Sequence, residues 1–339
     1  MDTYVAVNVE SGVTQYCTYF DSNYLTRALA LHASLARHAE PFRLWALCLD
    51  DAAFHVVEAM SIDSLRPIKL ADLEAEDPGL AAAKGNRSTV EYYFTLSPAL
   101  PLYLLNTVES IESITYLDSD LLFYSSPQPI FDELGDDSVL IIPHRFPPQL
   151  ARLLEYGTFN VAWLTFRNDD RARAVLERWH GQCLEWCYDR VEDGKFADQL
   201  YLDAWPGLRG VHVLEHIGAN VAPWNFGRYT FDLRATPPTV DGKPLIFYHF
   251  QAFKAIAPGL WDRRLDSYEA AGPRMGRDLR SRLYGGYLRE LRAAKRLVRP
   301  YVEAAPRTAS IRQPGYGWRR VVARIRAGQV MFSLRSIRL

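Results

Sequence analysis

Asp118 and Asp120 sit one residue apart between two apolar runs, Ser113-Ile114-Thr115-Tyr116-Leu117 and Leu121-Leu122-Phe123-Tyr124. Carboxylates flanked in this way pay a desolvation cost unless something positive answers them. A divalent cation does so well, because hard oxygens suit Mg²⁺ or Mn²⁺ and the same ion can bridge a diphosphate, offsetting charge on a departing nucleoside diphosphate. Chance supplies about one D-x-D triplet in a chain of this length. A second reading therefore stays open, in which one Asp caps the following segment and the other forms a salt bridge at a sheet edge. The remaining constellations exclude more than they offer. Cys183 and Cys187 share a helix face beside Trp179, Leu184 and Trp186, which reads as core packing, and no C-x-x-C pair supports zinc. Neither G-x-S-x-G nor G-x-x-x-x-G-K-[ST] occurs, which argues against an α/β-hydrolase and a P-loop nucleotidase.

The elements that must carry the pair read as alternating strands and helices. Gln15 to Phe20 is rich in β-branched and aromatic residues and runs through Asp21-Ser22-Asn23 into leucines at helical spacing (25, 29, 31, 35). A strand over 43–49, a helix over 53–60 and a short strand over 67–70 repeat the unit. A helix over 91–105 is kinked or restarted by Pro98 and Pro101. Beyond the strand that ends at Leu117, strands are expected at 138–143, 159–166, 211–214 and 245–249, with helices at 171–188 and 198–205. This order predicts an open, mostly parallel α/β sheet covered on both faces, with ligands at the carboxyl ends of its strands.

The 339 residues, 48% hydrophobic and 23% charged, suffice for one large core plus an appendage. Residues 263–339 hold 19 Lys+Arg against 5 Asp+Glu, whereas residues 1–262 hold 20 against 35. The division predicts a catalytic domain over 1–262 and a basic helical extension over 263–339. Trp318-Arg319-Arg320-Val321-Val322-Ala323-Arg324-Ile325-Arg326 and Val330 to Arg335 mix aromatics, aliphatics and Arg. Such a composition suits either a helix on an anionic membrane surface or one docked on the acidic body. The first residues lack a basic start and apolar run, no stretch reaches about 18 apolar residues, and four scattered cysteines make no disulfide framework. A cytoplasmic protein is expected, peripheral to the inner membrane face if the tail engages lipid.

The order of several further segments resembles the GT-A-fold glycosyltransferases of the glycogenin and lipopolysaccharide galactosyltransferase type, over about residues 14–254. Tyr19-Phe20-Asp21-Ser22-Asn23-Tyr24 is similar to that family's first nucleotide-binding loop. The match implies that Asp21 accepts the imide N–H of a uracil and that Tyr24 stacks on the ring, with Asn23 in the same loop; a helix cap using Asp21 or Ser22 is compatible with it. Asp118-Ser119-Asp120 resembles the family's metal-binding D-x-D, which brings Ser119 to the diphosphate. Thr158-Phe159-Asn160-Val161 resembles the strand whose Asn contacts the donor sugar. Asp198-Gln199 resembles the pair in which Asp198 would hold sugar hydroxyls while Gln199 lies near the anomeric carbon. Tyr248-His249-Phe250-Gln251-Ala252-Phe253-Lys254 resembles the late H-x-x-G-x-x-K-P-W motif, implying His249 in the metal shell and Lys254 at the diphosphate. Here Ala252 replaces the Gly, Lys254 comes one residue early and no Pro-Trp follows.

Asn220, Trp224 and Asn225, in a segment similar to the N-V-A-x-W-N of superfamily relatives, would line a sugar or acceptor pocket or else anchor a structural loop. Arg87, in a basic loop, either reaches a phosphate or is an exposed loop residue. Together these imply transfer from a nucleoside-diphosphate sugar, UDP-linked by the resemblance, to a saccharide or lipid-linked saccharide with retention, using Mn²⁺ or Mg²⁺. Two rivals remain. A sugar-phosphate nucleotidyltransferase would need a Gly-rich basic phosphate loop that Tyr19–Tyr24 does not offer, and a nucleic-acid-binding protein acting through its tail is opposed by the acidic body, so no nucleic acid partner is expected.

Overall fold

The computed structural model describes residues 12–257, 259–270, 272–304 and 318–332. Its first half alternates as the sequence predicts: β1 (Thr14–Phe20), α1 (Leu25–His38), β2 (Phe42–Cys48), α2 (Asp51–Met60) and β3 (Leu65–Lys69), then α3 (Leu70–Glu76), α4 (Pro78–Asn86) and α5 (Thr89–Thr107). Next come β4 (Ser113–Leu117), β5 (Leu121–Phe123), α6 (Gln128–Leu134), β6 (Val139–Pro143), β7 (Phe159–Arg167), α7 (Asp170–Glu185) and β8 (Val211–Val213). The central sheet has the order β3-β2-β1-β4-β7-β6-β8. Its strands pair in parallel except at β7, which runs antiparallel to both β4 and β6.

Both faces of this sheet are covered, so its strands bury alternate residues into different cores. Tyr16, Phe20, Leu44 and Ala46 pack toward α1 and α2, whereas Cys17, Trp45 and Leu47 pack toward α5 and α7. Cys183 and Cys187 are buried in that second core. α5 does not break at its prolines: Pro98 and Pro101 lie inside one continuous helix, closed at its start by a capping box between Ser88 and Glu91. Burial of Leu96, Ala99, Leu100 and Leu104 on the sheet offsets the lost hydrogen bonds, where an isolated helix would kink.

The C-terminal half adds small antiparallel pieces. β9 (Phe231–Asp232), β10 (Thr239–Val240) and β11 (Lys243–Pro244) form one ribbon, and β12 (Phe247–His249) pairs with β5. β13 (Lys254–Ala257), β14 (Leu260–Asp262) and β15 (Val330–Phe332) form another. α8 (Asp266–Glu269), α9 (Arg277–Ala304) and α10 (Trp318–Arg326) are the remaining α-helices among the described residues, and 3-10 helices span Pro148–Tyr156, Leu200–Ala204 and Phe226–Arg228, the second standing where the sequence predicts a helix over 198–205.

The basic extension does not stand apart from the acidic body. α9 lies along α1 and α2, burying Tyr287 against Phe250 at 3.9 Å between ring centroids and Ala294 and Val298 in the first core. α10 is tied down by Arg324, whose guanidinium donates two 2.7 Å hydrogen bonds to the fully buried carboxylate of Asp262 and two, of 2.6 and 2.9 Å, to Asp266. Ser333, Leu334 and Arg335, the end of the tail motif, lie outside the described residues. Among the described residues no helix is long and apolar enough to cross a membrane.

Candidate active site

The reversed strand β7 explains how residues distant in sequence meet. β1, β4 and β6 point the same way and end at Phe20, Leu117 and Pro143, delivering Asp21, Asp118 and His144 to one edge of the sheet. β7 runs the other way, so the residue brought to that edge is near its start, Asn160. All four lie on a cavity of about 1100 Å³, which Ser119, Asp120, Asp198, Gln199, Trp224 and His249 also line.

The acidic centre is built by strand register. Antiparallel pairing of β5 with β12 sets His249 opposite Leu121, and the Phe250 N–H donates to the Asp120 carbonyl at 3.0 Å. His249 Nε2 then lies 3.1 Å from Asp120 Oδ1 and 3.6 Å from Asp118 Oδ2, while Tyr116 donates its hydroxyl to Asp118 Oδ1 at 3.0 Å. One ligand atom from each of the three residues falls within 4.8 Å of the others. Burial pushes the Asp118 carboxyl up to about 6, with the Asp120 charge adding to it and His249 opposing. At Asp120 burial also acts upward, but His249, through charge and hydrogen bond, and Arg27 outweigh it and hold the carboxyl below its usual range. Burial disfavours the His249 cation, yet the two carboxylates raise its pKa. Two carboxylates and one imidazole converging in a buried corner form a donor set that suits Mn²⁺ or Mg²⁺.

Asp21 and Tyr24 form a separate wall. Asp21 Oδ1 accepts from the backbone N–H groups of Asn23 and Tyr24 at 3.0 and 3.1 Å, and its Oδ2 from Asn23 Nδ2 at 3.0 Å. The Asp therefore fixes the turn into α1. Asn23 is spent on that turn and does not line the cavity. The Arg27 guanidinium sits 4.0 Å from the Tyr24 ring centroid and donates to the Phe253 carbonyl at 2.7 Å, locking the ring that faces the cavity. At the opposite side Asp198 is buried, and burial raises its carboxyl to about 7 against a hydrogen bond from Ser97, with Asp118 adding to the rise.

Loop 218–225 runs beside β12. Its Gly218 is required by contact: a Cβ there would lie 1.9 Å from the Pro244 carbonyl oxygen. The loop places Trp224 edge-on to His249 at 5.3 Å. Asn220 and Asn225 are fully buried beneath it and do not line the cavity. Asn225 donates to the carbonyls of His144 and Asn220 and accepts from Ala222 N–H, each within 2.9 Å. Asn220 sits at φ 58° and donates to Pro143. The structural alternative raised for this loop thus fits Asn220 and Asn225, and only Trp224 reaches the cavity. Arg87 also lies elsewhere, bonding to Thr95 Oγ1 and to the Leu184 carbonyl and so tying α5 to α7. Lys254 opens β13 opposite Asp262 and is not among the lining residues. Ala252 takes φ 60°, so the backbone adopts the left-handed turn for which a glycine is best suited.

Residues that the sequence reading passed over complete the site. Arg27 gives no signal in sequence beyond an Arg on an apolar helix. His144 does have one, since it directly follows a strand whose carboxyl end faces the ligand edge. Tyr156, which ends the 3-10 helix Pro148–Tyr156, and Phe196 lie 4.8 Å apart and also line the cavity.

No protein-family model matches the chain. It is 35% identical over 253 residues to the uncharacterized protein YfnF of Bacillus subtilis, covering 71% of this chain and 82% of YfnF. It is 30% identical over 245 residues to YfnD of the same organism, covering 71% and 78%. Among solved structures, the apo glycosyltransferase GlyE of Streptococcus pneumoniae superposes with a TM-score of 0.50 at 13% identity, covering 86% of this chain and 64% of GlyE. The galactosyltransferase LgtC gives 0.48 at 18% identity, covering 79% and 100%. The fold is that of the GT-A glycosyltransferases, and the chain belongs to the family of the Bacillus subtilis proteins YfnF and YfnD.

Proposed function

We propose that this protein is a glycosyltransferase that moves a sugar from a nucleoside-diphosphate sugar, with UDP as the carrier, to a saccharide or lipid-linked saccharide. The observation that carries the reading is the meeting of Asp118, Asp120 and His249 with Asn160, Asp198 and Gln199 in one cavity that also exposes Asp21 and Tyr24. Asp21 accepts the imide N–H of the base and Tyr24 stacks on it. Asp118, Asp120 and His249 would hold the Mn²⁺ or Mg²⁺, with Ser119 beside the diphosphate. When bound, such an ion supplies positive charge to a departing diphosphate. Asn160 and Asp198 orient the sugar hydroxyls, which fixes the sugar face toward Gln199.

The anomeric C–O bond to the diphosphate breaks with its electron pair on the phosphate oxygen. An acceptor hydroxyl forms the new bond from the same face, and its proton passes to that leaving oxygen. Retention follows, with the Gln199 carbonyl dipole facing the positive charge that develops at the anomeric carbon. Trp224, Tyr156 and Phe196 offer apolar faces for the acceptor sugar.

A panel of UDP-, GDP- and dTDP-sugars assayed for Mn²⁺-dependent hydrolysis and transfer tests the reading, and absence of turnover across the panel overturns it. Pyrophosphate release from a nucleoside triphosphate and a sugar phosphate would replace it with the nucleotidyltransferase. The exposed Arg289, Arg296 and Arg299 of α9 would bring the enzyme to an anionic inner membrane face. Sedimentation with phosphatidylserine vesicles, and none with phosphatidylcholine, is the expected result; equal sedimentation with both removes the idea.

A further inference from the structure

His144 takes no part in the reading above, although it touches two residues that do, Asn160 and Trp224, and reaches Gln199 through the first. It follows β6, is 5% exposed, stacks on Phe146 with ring centroids 4.6 Å apart and meets Trp224 edge-on at 5.2 Å. Its Nδ1 lies 3.3 Å from the carbonyl oxygen of Thr158. A carbonyl only accepts, so Nδ1 carries the hydrogen. Burial holds the ring down to about 3, which leaves it neutral near pH 7 and leaves Nε2 bare.

Nε2 lies 3.2 Å from Asn160 Nδ2, and a bare ring nitrogen facing an amide nitrogen must accept. That contact sets the orientation of the Asn160 amide. Its Oδ1 is turned to the Ala162 N–H at 3.3 Å, and its Nδ2 also reaches Gln199 Oε1 at 3.4 Å. Gln199 in turn donates from Nε2 to the Tyr156 carbonyl at 2.7 Å. Every hydrogen in this chain therefore has one direction. Thr158 itself is fastened by two bonds to Asp203, 2.8 Å from its N–H and 3.0 Å from its hydroxyl, so the carbonyl that reads the His144 ring is fixed.

We propose that His144 is a positioning residue for sugar transfer. By accepting through Nε2 it acts with the Ala162 N–H to set which way the Asn160 amide faces, and through Asn160 it acts with the Tyr156 carbonyl, which takes the Gln199 NH₂ group, to hold the Gln199 carbonyl oxygen toward the reacting carbon. The inference rests on the glycosyltransferase reading for its consequence. A reversed amide would turn a partial positive charge toward a centre that is itself becoming positive, so the orientation bears on the transition state more than on donor binding.

Two measurements test it. In full-length protein with ¹⁵N-labelled histidine, NMR should find His144 neutral at pH 7 with the hydrogen on Nδ1. A hydrogen on Nε2, or a protonated ring, overturns the proposal, and this readout needs neither turnover nor substitution. The second is kinetic, on whichever of UDP-galactose, UDP-glucose and UDP-N-acetylglucosamine the wild type turns over fastest. His144→Phe should lower kcat by on the order of 10- to 100-fold, the scale of a misplaced reacting group. Donor KM and calorimetric affinity for UDP with Mn²⁺ should stay within about 3-fold, because the residues that hold the nucleotide are elsewhere. His144→Gln, whose Oε1 can accept from Asn160, should restore most of kcat. Unchanged kcat in His144→Phe, or equal loss in both variants, overturns the proposal. Absence of turnover in the wild type would instead sink the glycosyltransferase reading and leave the tautomer to decide the role of His144.

Discussion

His249 Nε2 stands 3.1 Å from Asp120 Oδ1 although 129 residues separate them in sequence, because β12 pairs with β5 in the register that sets His249 beside the D-x-D turn. The contact joins a late imidazole to an early carboxylate. Under the proposed function, removing the carboxylate takes away one of the three residues that would hold the metal ion. Asp120→Ala is expected to lower Mn²⁺-dependent donor turnover by on the order of 10²- to 10³-fold, with calorimetric Mn²⁺ affinity falling in parallel. Turnover equal to wild type in that variant would refute the metal assignment.

The base-binding role proposed for the wall of Asp21 and Tyr24 makes a separate prediction. Tyr24 is held by Arg27 in place to stack, and base–aromatic stacking contributes about 1–3 kcal/mol. Tyr24→Ala should therefore weaken UDP binding by roughly 10-fold or more, measured by titration calorimetry, while thermal stability changes little. Equal affinity for UDP in variant and wild type would place the base elsewhere.

Arg87 separates a phosphate contact from a structural strut. Because it bonds to Thr95 and to the Leu184 carbonyl, Arg87→Ala should lower stability by about 1–3 kcal/mol in urea denaturation. Donor KM should be unaffected. A large rise in KM without loss of stability would restore the phosphate role.

Arg324 gives the pH dependence. Its hydrogen bonds hold the Asp266 carboxyl below the usual range. A depressed folded pKa contributes stability that is present above the unfolded value, about 4, and is lost as pH falls through the folded value. Wild type should thus lose stability between about pH 5 and pH 3 more steeply than Arg324→Met. At pH 7 the same variant should be less stable by roughly 3 kcal/mol, since it takes the charged partner from the buried Asp262 carboxylate and leaves it the Arg264 N–H. Parallel pH–stability curves would show that the clamp contributes nothing.

Much of this was legible in sequence, for physical reasons that differ by element. β1, β2 and β4 announce themselves because a strand buried on both faces must be apolar throughout, and Asp118 and Asp120 stand out against that background. Asn160 was found by likeness to a motif, yet its place depends on the reversal of β7, which no local pattern encodes. The restart expected at Pro98 and Pro101 does not occur, and the helix runs on through both prolines because it is held by the sheet beneath it, a tertiary effect. Asn220 and Asn225 look like ligand-reading amides in sequence. In the fold their donors are consumed by backbone carbonyls, which only the three-dimensional path of loop 218–225 reveals. His144 has only its place after β6 to mark it, since an isolated histidine carries no periodicity and its partners lie just before β7, at Thr158, and within it, at Asn160.

The clamp on α10 has one more consequence, for anyone who engineers this chain. β15 is the outer partner of β14, and β14 leads within a few residues back to His249 through β13. Trimming the chain after Ala304 would leave an open strand edge at β14 and take the guanidinium from Asp262, a short walk from the candidate site. The segment 318–332 therefore behaves as a keystone, whose removal would be felt in β14 and β13.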